Sequence, residues 1–478
     1  MFFLWSKCCR SFFFPLIKER TKQMSQLESL GLFTDLYELT MAACYHEHGL
    51  FDQATFSLFI RNYPPSRRYF ISAGLADALK YLEDLRFTSE DLQYLKKTDL
   101  FKPDFLSYLE KFRFMGDVYA ILEGRLFFAN EPLLEVTAPL IEAQIIETFI
   151  INAINLQVMI ATKASRCVHA AWPRKLVDFS LRRTQGTDAG MKVARASFIG
   201  GFIGTSNVLA GKIYDIPIFG TMAHSFITCF ENEIEAFRAF AHTFPDNTVL
   251  LVDTYDTISG TVKAAEVGEE LVRRGKMLKG VRLDSGDIAR LSKKVRNILR
   301  KSGLDETTIF ASGGFDEYKI QKVLRQGGNI NSFGVGTKMG VSADAPYFDM
   351  AYKLVKYGGR PVMKLSPEKA TLPSEKQVFR FSTSKGKLRR DVLGLRDDMM
   401  RDGKPLLKKV MTKGKIQGKL PTLPQIQKTF LGEFANLDKK YKILGERGDV
   451  YPVSLSTRLK NLKSRMIPRL EKDETRES

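Results

Sequence analysis

Two glycine-rich turns follow short apolar runs late in the sequence: SGGFD (312–316) and FGVGT (333–337). Glycine lets backbone N–H groups approach an anion closely, and a following helix N-terminus adds a favourable dipole. Phosphate binding is the chemistry this pattern could do; ordinary tight turns are the plainer alternative. Arg182 and Arg183 follow the run DFS (178–180), and a guanidinium fork suits phosphate or carboxylate. Arg282 and Asp284 sit together in RLDSGD (282–287). That carboxylate could hold ribose hydroxyls or a metal-bound phosphate, or simply pair with the arginine. His224, in GTMAHS (220–225), could act as a base or as a nucleophile toward phosphate. Asp253 in the next unit could orient its ring, and a structural histidine is the alternative. Phe179 and Tyr37 could stack on an aromatic ring or serve as core residues. His46 and His48 are two apart on a helical stretch and share no face, which dismisses them as a metal site.

These residues need elements to converge them. From about residue 175, β-rich runs alternate with helical stretches: 176–182, 196–208, 217–225, 248–257, 280–287, 308–316 and 331–339. Strand then helix at this spacing predicts parallel βα units, about seven in a row, and so a barrel, with an open doubly wound sheet as the alternative. The polar and glycine residues follow the apolar part of each run. They therefore fall at the carboxyl ends of the strands, the face where such folds bind ligands. Upstream, Thr34 or Asp35 caps a helix that Gly49 ends. Residues 54–64 alternate like a half-buried strand. Residues 118–140 read as strands with turns at 123–124 and 130–132. Residues 137–166 form a long apolar helix crossing between domains. Beyond 350 the rhythm stops, strands of a second module follow, and the tail after Tyr451 reads as helical.

The chain has 478 residues, 44% hydrophobic and 27% charged. This composition excludes a largely disordered or collagenous chain. The net charge is +19, which favours anionic partners. Over half of that excess lies in residues 1–23 and 385–419. The second stretch lacks interleaved aromatics and reads as a solvated basic loop rather than a nucleic-acid site. Five cysteines without metal-ligand spacing predict a reduced, cytoplasmic setting, and no run predicts a membrane span. Residues 1–23 read as a start assigned upstream of Met24, with a targeting segment as the alternative.

Nine ordered segments carry a resemblance: TDLYELTM (34–41), EPLLEVTAPLIEAQIIET (131–148), DFSLRRTQG (178–186), GTSNVLAG (204–211), GTMAHS (220–225), VDTYDT (252–257), RLDSGD (282–287), ASGGFDE (311–317) and FGVGT (333–337). Together they resemble the nicotinate phosphoribosyltransferases among the type II phosphoribosyltransferases, from about residue 30 to 460. The resemblance implies an α/β fold: an irregular (β/α) barrel packed with a second α/β domain formed from both chain ends. Residues 24–150 and 351–478 would form that flanking domain, 151–350 the barrel, and 1–23 an extension. It also implies transfer of phosphoribose from phosphoribosyl pyrophosphate to nicotinate, coupled to ATP hydrolysis, with Mg²⁺, in a homodimer with shared active sites. No nucleic acid or membrane partner is expected.

By motif, the resemblance makes His224 the histidine that ATP phosphorylates, Asp253 the carboxylate orienting it, and Asp284 the carboxylate near the ribose. Phe179 would stack on the pyridine ring, and Tyr37 of a neighbouring subunit would cover its other face. Arg182 and Arg282 would lie near the ribose phosphate and base, and Ser225, beside His224, would also bind substrate. Ser285, Gly286, Gly313, Gly314, Gly334, Gly336 and Thr337 would cradle phosphate. Ser206 stands where the nicotinamide enzymes carry Asp. A hydroxyl can donate to a carboxylate that an aspartate would repel, so Ser206 favours nicotinate. There are two departures. Ser180 replaces the expected glycine and is expected to crowd the loop beside Phe179. Ala138 falls where glycine–proline is common and is read as structural. The competing readings are nicotinamide phosphoribosyltransferase activity and a catalytically dead, basic nucleic-acid-binding relative. Ser206 stands against the first; His224, Asp284 and the glycine loops stand against the second.

Overall fold

A computed structural model of the protein describes residues 29–366, 371–446 and 448–476. The reading of residues 1–23 lies outside them. Helix α1 (Leu36–Glu47) begins after Asp35 and ends before Gly49, whose φ is +68°. Strands β1 (Gln53–Ile60), β2 (Asp117–Ile121) and β3 (Leu134–Pro139) follow. Helix α2 (Glu147–Ala171) then runs through the centre of the molecule.

Six parallel strands come next: β4 (Lys175–Asp178), β5 (Gly204–Thr205), β6 (Val249–Leu251), β7 (Gly280–Leu283), β8 (Thr308–Ala311) and β9 (Ser332–Val335). Their order in the sheet is β5-β4-β9-β8-β7-β6. The segment after Pro217 continues beside β5 through one parallel bridge, Thr205 to Ile218. This is the expected α/β barrel, and it is irregular at that segment, which forms a bridge rather than a strand. The run read from residue 196 starts as helix rather than strand: residues up to Ile199 belong to a helix that Gly200 ends.

The flanking domain draws on both ends of the chain. Strands β10 (Met350–Tyr357), β11 (Arg360–Pro361), β12 (Lys376–Ser382), β13 (Leu388–Leu395), β14 (Lys404–Pro405), β15 (Leu407–Thr412), β16 (Lys415–Ile416) and β17 (Val453–Leu455) complete the molecule's long sheets. One sheet has the order β11-β10-β1-β3-β2-β15-β16, and a second has β14-β12-β13-β17. Strand β1 is central, antiparallel to both β10 and β3. That explains why all but its first residue is buried, against the half-buried expectation. Its buried Thr55 and Ser57 hydroxyls pair with Thr137 and Glu135 across the sheet. The basic stretch 385–419 is largely β-strand, not a loop, with Arg389 and Arg390 both exposed on β13. Helix Thr457–Arg476 closes the described chain.

The stretch expected as one helix from 137 is instead a strand end, a short helix (Leu140–Ile145) and α2. It is long and apolar enough to cross a membrane, yet it is mostly buried inside the fold. Two cations lie on α2. Lys163 is 2.6 Å from both Glu317 and Asp344, and Arg166 Nε is 2.9 Å from Glu317. Arg67 reaches Asp344 at 2.7 Å, and Arg166 also donates to the carbonyl of Leu444. Burial works against ionised Asp344, but hydrogen bonds and charge from Arg67 and Lys163 hold its carboxyl well below the ordinary range. This network ties α2, the barrel and both ends of the flanking domain together. Removing one member strands buried charge. Glu317→Gln is therefore expected to cost about 3 kcal/mol of unfolding free energy, read from urea denaturation midpoints.

Glu142 is a buried acid outside this network. Burial raises its pKa from 4.5 to about 7, offset in part by the hydrogen bond from the Met115 N–H. A folded-state pKa above the unfolded value means the folded chain binds more protons between the two. Stability therefore falls as pH rises from about 4.5 to about 7. Glu142→Gln keeps an acceptor for Met115 without the charge. Its melting temperature should exceed the wild type's above pH 7 and lose that advantage near pH 4.5.

Candidate active site

Six of the loops expected to carry chemistry leave the carboxyl ends of the parallel strands, and the loop of His224 follows the single bridge at Ile218. β4 leads to Phe179, β5 to Ser206, β6 to Asp253, β7 to Asp284, β8 to Ser312–Gly314 and β9 to Gly336. They surround two adjoining cavities. The larger, about 420 Å³, is lined by Phe179, Leu181, Arg182, Ser206, residues 220–224, Leu251, Arg282 and Asp284. The smaller, about 200 Å³, adds Arg183, Ser312, Gly313, Gly314, Gly334, Gly336 and Thr337. Phe179, Arg182, Arg282 and Asp284 line both. The first suits a flat ring, with apolar walls and cations at its edge; the second is a glycine-walled pocket fit for an anion.

Arg282 organises the boundary. Its Nε donates to Ser312 Oγ at 2.7 Å, Nη1 to Thr221 Oγ1 at 3.0 Å and the Met222 carbonyl at 3.1 Å, and Nη2 to Asp284 Oδ1 at 2.7 Å. The Ser312 hydroxyl donates to the same Asp284 oxygen. Burial alone would raise the Asp284 pKa, but these hydrogen bonds and the Arg282 charge bring it below the ordinary carboxylate value. Asp284 is thus held as an anion, and its second oxygen has no partner among the described residues. The Arg282 guanidinium also stands 5.7 Å from the Phe179 ring centroid. A Cβ on Gly334 would come within 2.7 Å of the Phe179 ring. Glycine there is what lets the ring pack this close to β9.

Ser180 does not crowd this loop. It is fully buried, and its hydroxyl and N–H both donate to Asp178. The space comes from the facing Gly340, where an added Cβ would overlap the Ser180 Cβ. Ala138 is a buried strand residue opposite Ala54.

His224 opens a short helix (His224–Thr228) and lines the larger cavity. Asp253 does not reach its ring, contrary to expectation. The ring's Nδ1 lies 3.1 Å from the Thr254 hydroxyl. Asp253 Oδ2 instead accepts from the Asp284 N–H at 2.9 Å and the Ser285 hydroxyl at 2.7 Å, while its Oδ1 is buried without a partner. Ser285 thereby serves the turn, and neither it nor Gly286 nor Ser225 lines either cavity. Tyr37 lies on α1, 46% exposed and outside both cavities of its own chain.

Sequence reasoning missed several contributors. Thr254 and Thr221 were hidden between better-known neighbours in VDTYDT and GTMAHS. Lys338 follows Thr337 directly and pairs with Asp316 at 2.7 Å; Lys319 donates to the Gly313 carbonyl at 2.5 Å. Burial, then the Lys338 charge, lowers the Lys319 pKa. A lysine beside a glycine loop was the available signal. Asp316 caps the next helix by accepting from the Lys319 N–H. No group of three or more His, Cys, Asp or Glu among the described residues could hold a metal ion. A Mg²⁺ here fits only as the companion of a phosphorylated substrate, whose oxygens would supply most ligands beside Asp284.

Comparison with known proteins agrees with this geometry. Models described as the nicotinate phosphoribosyltransferase N-terminal domain, the nicotinate phosphoribosyltransferase family and the nicotinate phosphoribosyltransferase C-terminal domain match residues 32–155, 174–380 and 399–463. The chain is 46% identical over 430 residues to the nicotinate phosphoribosyltransferase pncB2 of Mycobacterium tuberculosis, covering 90% of this chain and 92% of that one. It is 38% identical to the nicotinate phosphoribosyltransferase of Bacillus subtilis, covering 93% and 98%. Among solved structures, human nicotinic acid phosphoribosyltransferase superposes with a TM-score of 0.81 at 28% identity, covering 90% of this chain and 99% of that one.

The Ser180–Gly340 contact can be tested as a pair. Gly340→Ala is expected to destabilise the protein by about 1–3 kcal/mol through overpacking. Adding Ser180→Gly should recover part of that loss. A double-mutant cycle in urea should give a coupling of about 1 kcal/mol or more, whereas additive effects would show that the two residues do not constrain each other.

Proposed function

The chain belongs to the nicotinate phosphoribosyltransferase family, and from that premise we propose how its site works. The enzyme transfers phosphoribose from phosphoribosyl pyrophosphate to nicotinate, giving nicotinate mononucleotide and pyrophosphate, coupled to hydrolysis of ATP to ADP and phosphate through a phosphorylated His224. The observation that carries the reading is the junction of the two cavities. A ring-sized space lined by Phe179 and Ser206 meets a glycine-walled anion pocket at the Arg282–Asp284 pair.

The chemistry follows from the charges. Cleavage of the ribose–pyrophosphate bond builds positive charge on the sugar and negative charge on the leaving group. Asp284, kept anionic by Ser312 and Arg282, stabilises the first. The N–H groups around Gly313, Gly314, Gly334 and Gly336, with Arg182, receive phosphate oxygens. Mg²⁺, when bound with the substrate, adds neutralising charge on the pyrophosphate. Phe179 offers a face for the pyridine ring, and the Ser206 hydroxyl offers a donor to its carboxylate.

Two exposed apolar faces support a homodimer with shared sites. One is Phe33, Leu36 and Tyr37 at α1. The other is Val208, Leu209 and Ile213 on helix Val208–Tyr214, continued by Ile218 and Phe219 beside Ser206. Tyr37 serves no cavity of its own chain, so a second copy is the natural source of the ring's other wall. A cytoplasmic setting fits the free cysteines Cys44, Cys167 and Cys229.

The deciding assay follows mononucleotide formation with Mg²⁺ and phosphoribosyl pyrophosphate, comparing nicotinate with nicotinamide, each with and without ATP. Product from nicotinate alone, increased by ATP with release of ADP, is expected. Equal use of nicotinamide would overturn the Ser206 argument, and ATP-indifferent turnover would overturn the coupling. Mixing His224→Ala with Tyr37→Ala protein should restore activity that neither has alone; no recovery after subunit exchange would count against shared sites.

A further inference from the structure

Tyr37 is exposed, but the residue after it is not. Glu38 is fully buried, on the inward face of α1 with Leu39 and Ala42. It lines neither cavity, so the chemistry proposed above gives it no task. We propose that Glu38 is a positioning residue for the active site of the neighbouring subunit: it anchors the start of α1 to the start of α2 and so fixes where Tyr37 stands. This inference rests on the shared-site reading above and deepens it.

The anchor is built from both helix starts. The first N–H groups of a helix lack partners within it. Ile146, which precedes α2, has no side-chain acceptor to offer them. Glu38 supplies one from α1: its Oε1 accepts from the Thr148 N–H at 2.9 Å. The Thr148 hydroxyl lies 2.6 Å from the same oxygen and 2.8 Å from Asp35 Oδ2. Thr34 Oγ1 contacts Glu38 Oε2 and lies 3.1 Å from the Ile145 carbonyl. The Phe33 and Phe149 rings meet edge to face, 5.9 Å between centroids. Phe33, Thr34, Asp35 and Glu38 are thus each held against residues 145–149, and Tyr37 lies inside the span they fix.

Helix geometry turns this anchor into an orientation. Successive residues stand about 100° apart around a helix. With Glu38 locked inward against α2, Tyr37 points outward beside exposed Phe33 and Leu36. Burial raises the Glu38 pKa from 4.5 to about 7, against the hydrogen bonds from Thr148 and Thr34. The position needs an acceptor for the Thr148 N–H and a polar atom facing Thr34. Glutamine meets both needs: its oxygen accepts from Thr148, and its amide donates to Thr34 Oγ1, whose own proton turns to the Ile145 carbonyl. Alanine meets neither and frees the start of α1. A ring that completes a neighbour's binding wall then stands in the wrong place for stacking.

Nicotinate kinetics of the full-length enzyme test this. Glu38→Ala is expected to raise the nicotinate KM by about tenfold with kcat within about threefold, and Glu38→Gln to keep both within about threefold of wild type. Thr148→Val removes one hydroxyl but keeps the N–H. It should raise KM in the same direction by less, and it replaces Glu38→Ala below if that variant does not fold. Subunit exchange then assigns the site affected. In a hybrid of Glu38→Ala and His224→Ala chains, the one site that retains His224 takes its Tyr37 from the chain with intact Glu38. Its nicotinate KM should return to the wild-type value, as it should in the hybrid of Tyr37→Ala and His224→Ala. Unchanged KM in both Glu38→Ala and Thr148→Val, or a KM as high in Glu38→Gln as in Glu38→Ala, would overturn the proposal. Recovery in the Tyr37 hybrid but not in the Glu38 hybrid would place the action of Glu38 in its own chain's site and overturn this proposal alone. No recovery in either would overturn the shared-site reading, and this proposal with it.

Discussion

The buried ion network on the central helix is the constraint from which the rest of the architecture follows. Lys163 and Arg166 are buried on α2 and would be untenable there without Glu317 and Asp344. Glu317 is the first residue of the helix after the SGGFD loop, so the contact that neutralises α2 also sets where the glycine pocket stands. Asp344 lies between β9 and β10, where the chain returns from barrel to flanking domain, and Arg67 meets it there. A second buried pair, Arg195 with Glu123, joins the helix after β4 to a turn of the flanking domain. Domain packing and phosphate-loop placement are therefore one problem with one electrostatic solution.

Within that frame, the site depends on small residues opposite large ones. Phe179 lies against β9 because Gly334 has no side chain, and Ser180 fits because Gly340 has none. Gly313 has φ +95° and passes so close to the Asp284 carbonyl that no side chain could be carried there. That approach brings the glycine-walled pocket against Asp284. The ring cavity and the phosphate cavity consequently share a wall of four residues, the geometry that joining a base to a phosphorylated sugar demands.

The charge distribution divides in the same way. Near the cavities, three cations are held by specific partners: Arg282 by Asp284, Lys338 by Asp316, Lys319 by a carbonyl. The surplus of basic residues in 385–419 lies on the flanking strands instead. Net charge thus describes the surface rather than the cavities.

How much of this was legible in the sequence depends on whether neighbours along the chain or across space decide each residue's role. The alternation of strand and helix, the glycine turns, and the placing of Arg282 and Asp284 at the end of one strand were readable, because period and turn chemistry are local properties. The nine ordered segments named the family for the same reason: each motif is contiguous. Burial of β1 on both faces, the strand character of 385–419 and the mere bridge after Pro217 were not readable, because sheet neighbours come from distant parts of the chain. The sequence by itself determined which residue types reach the active face. Only the tertiary structure decided which of them touch: Thr254 rather than Asp253 on the imidazole, and Gly340 rather than a crowded loop against Ser180. A hydrogen bond or an overlap is settled at a few tenths of an ångström by loops that the sequence orders but does not position relative to one another.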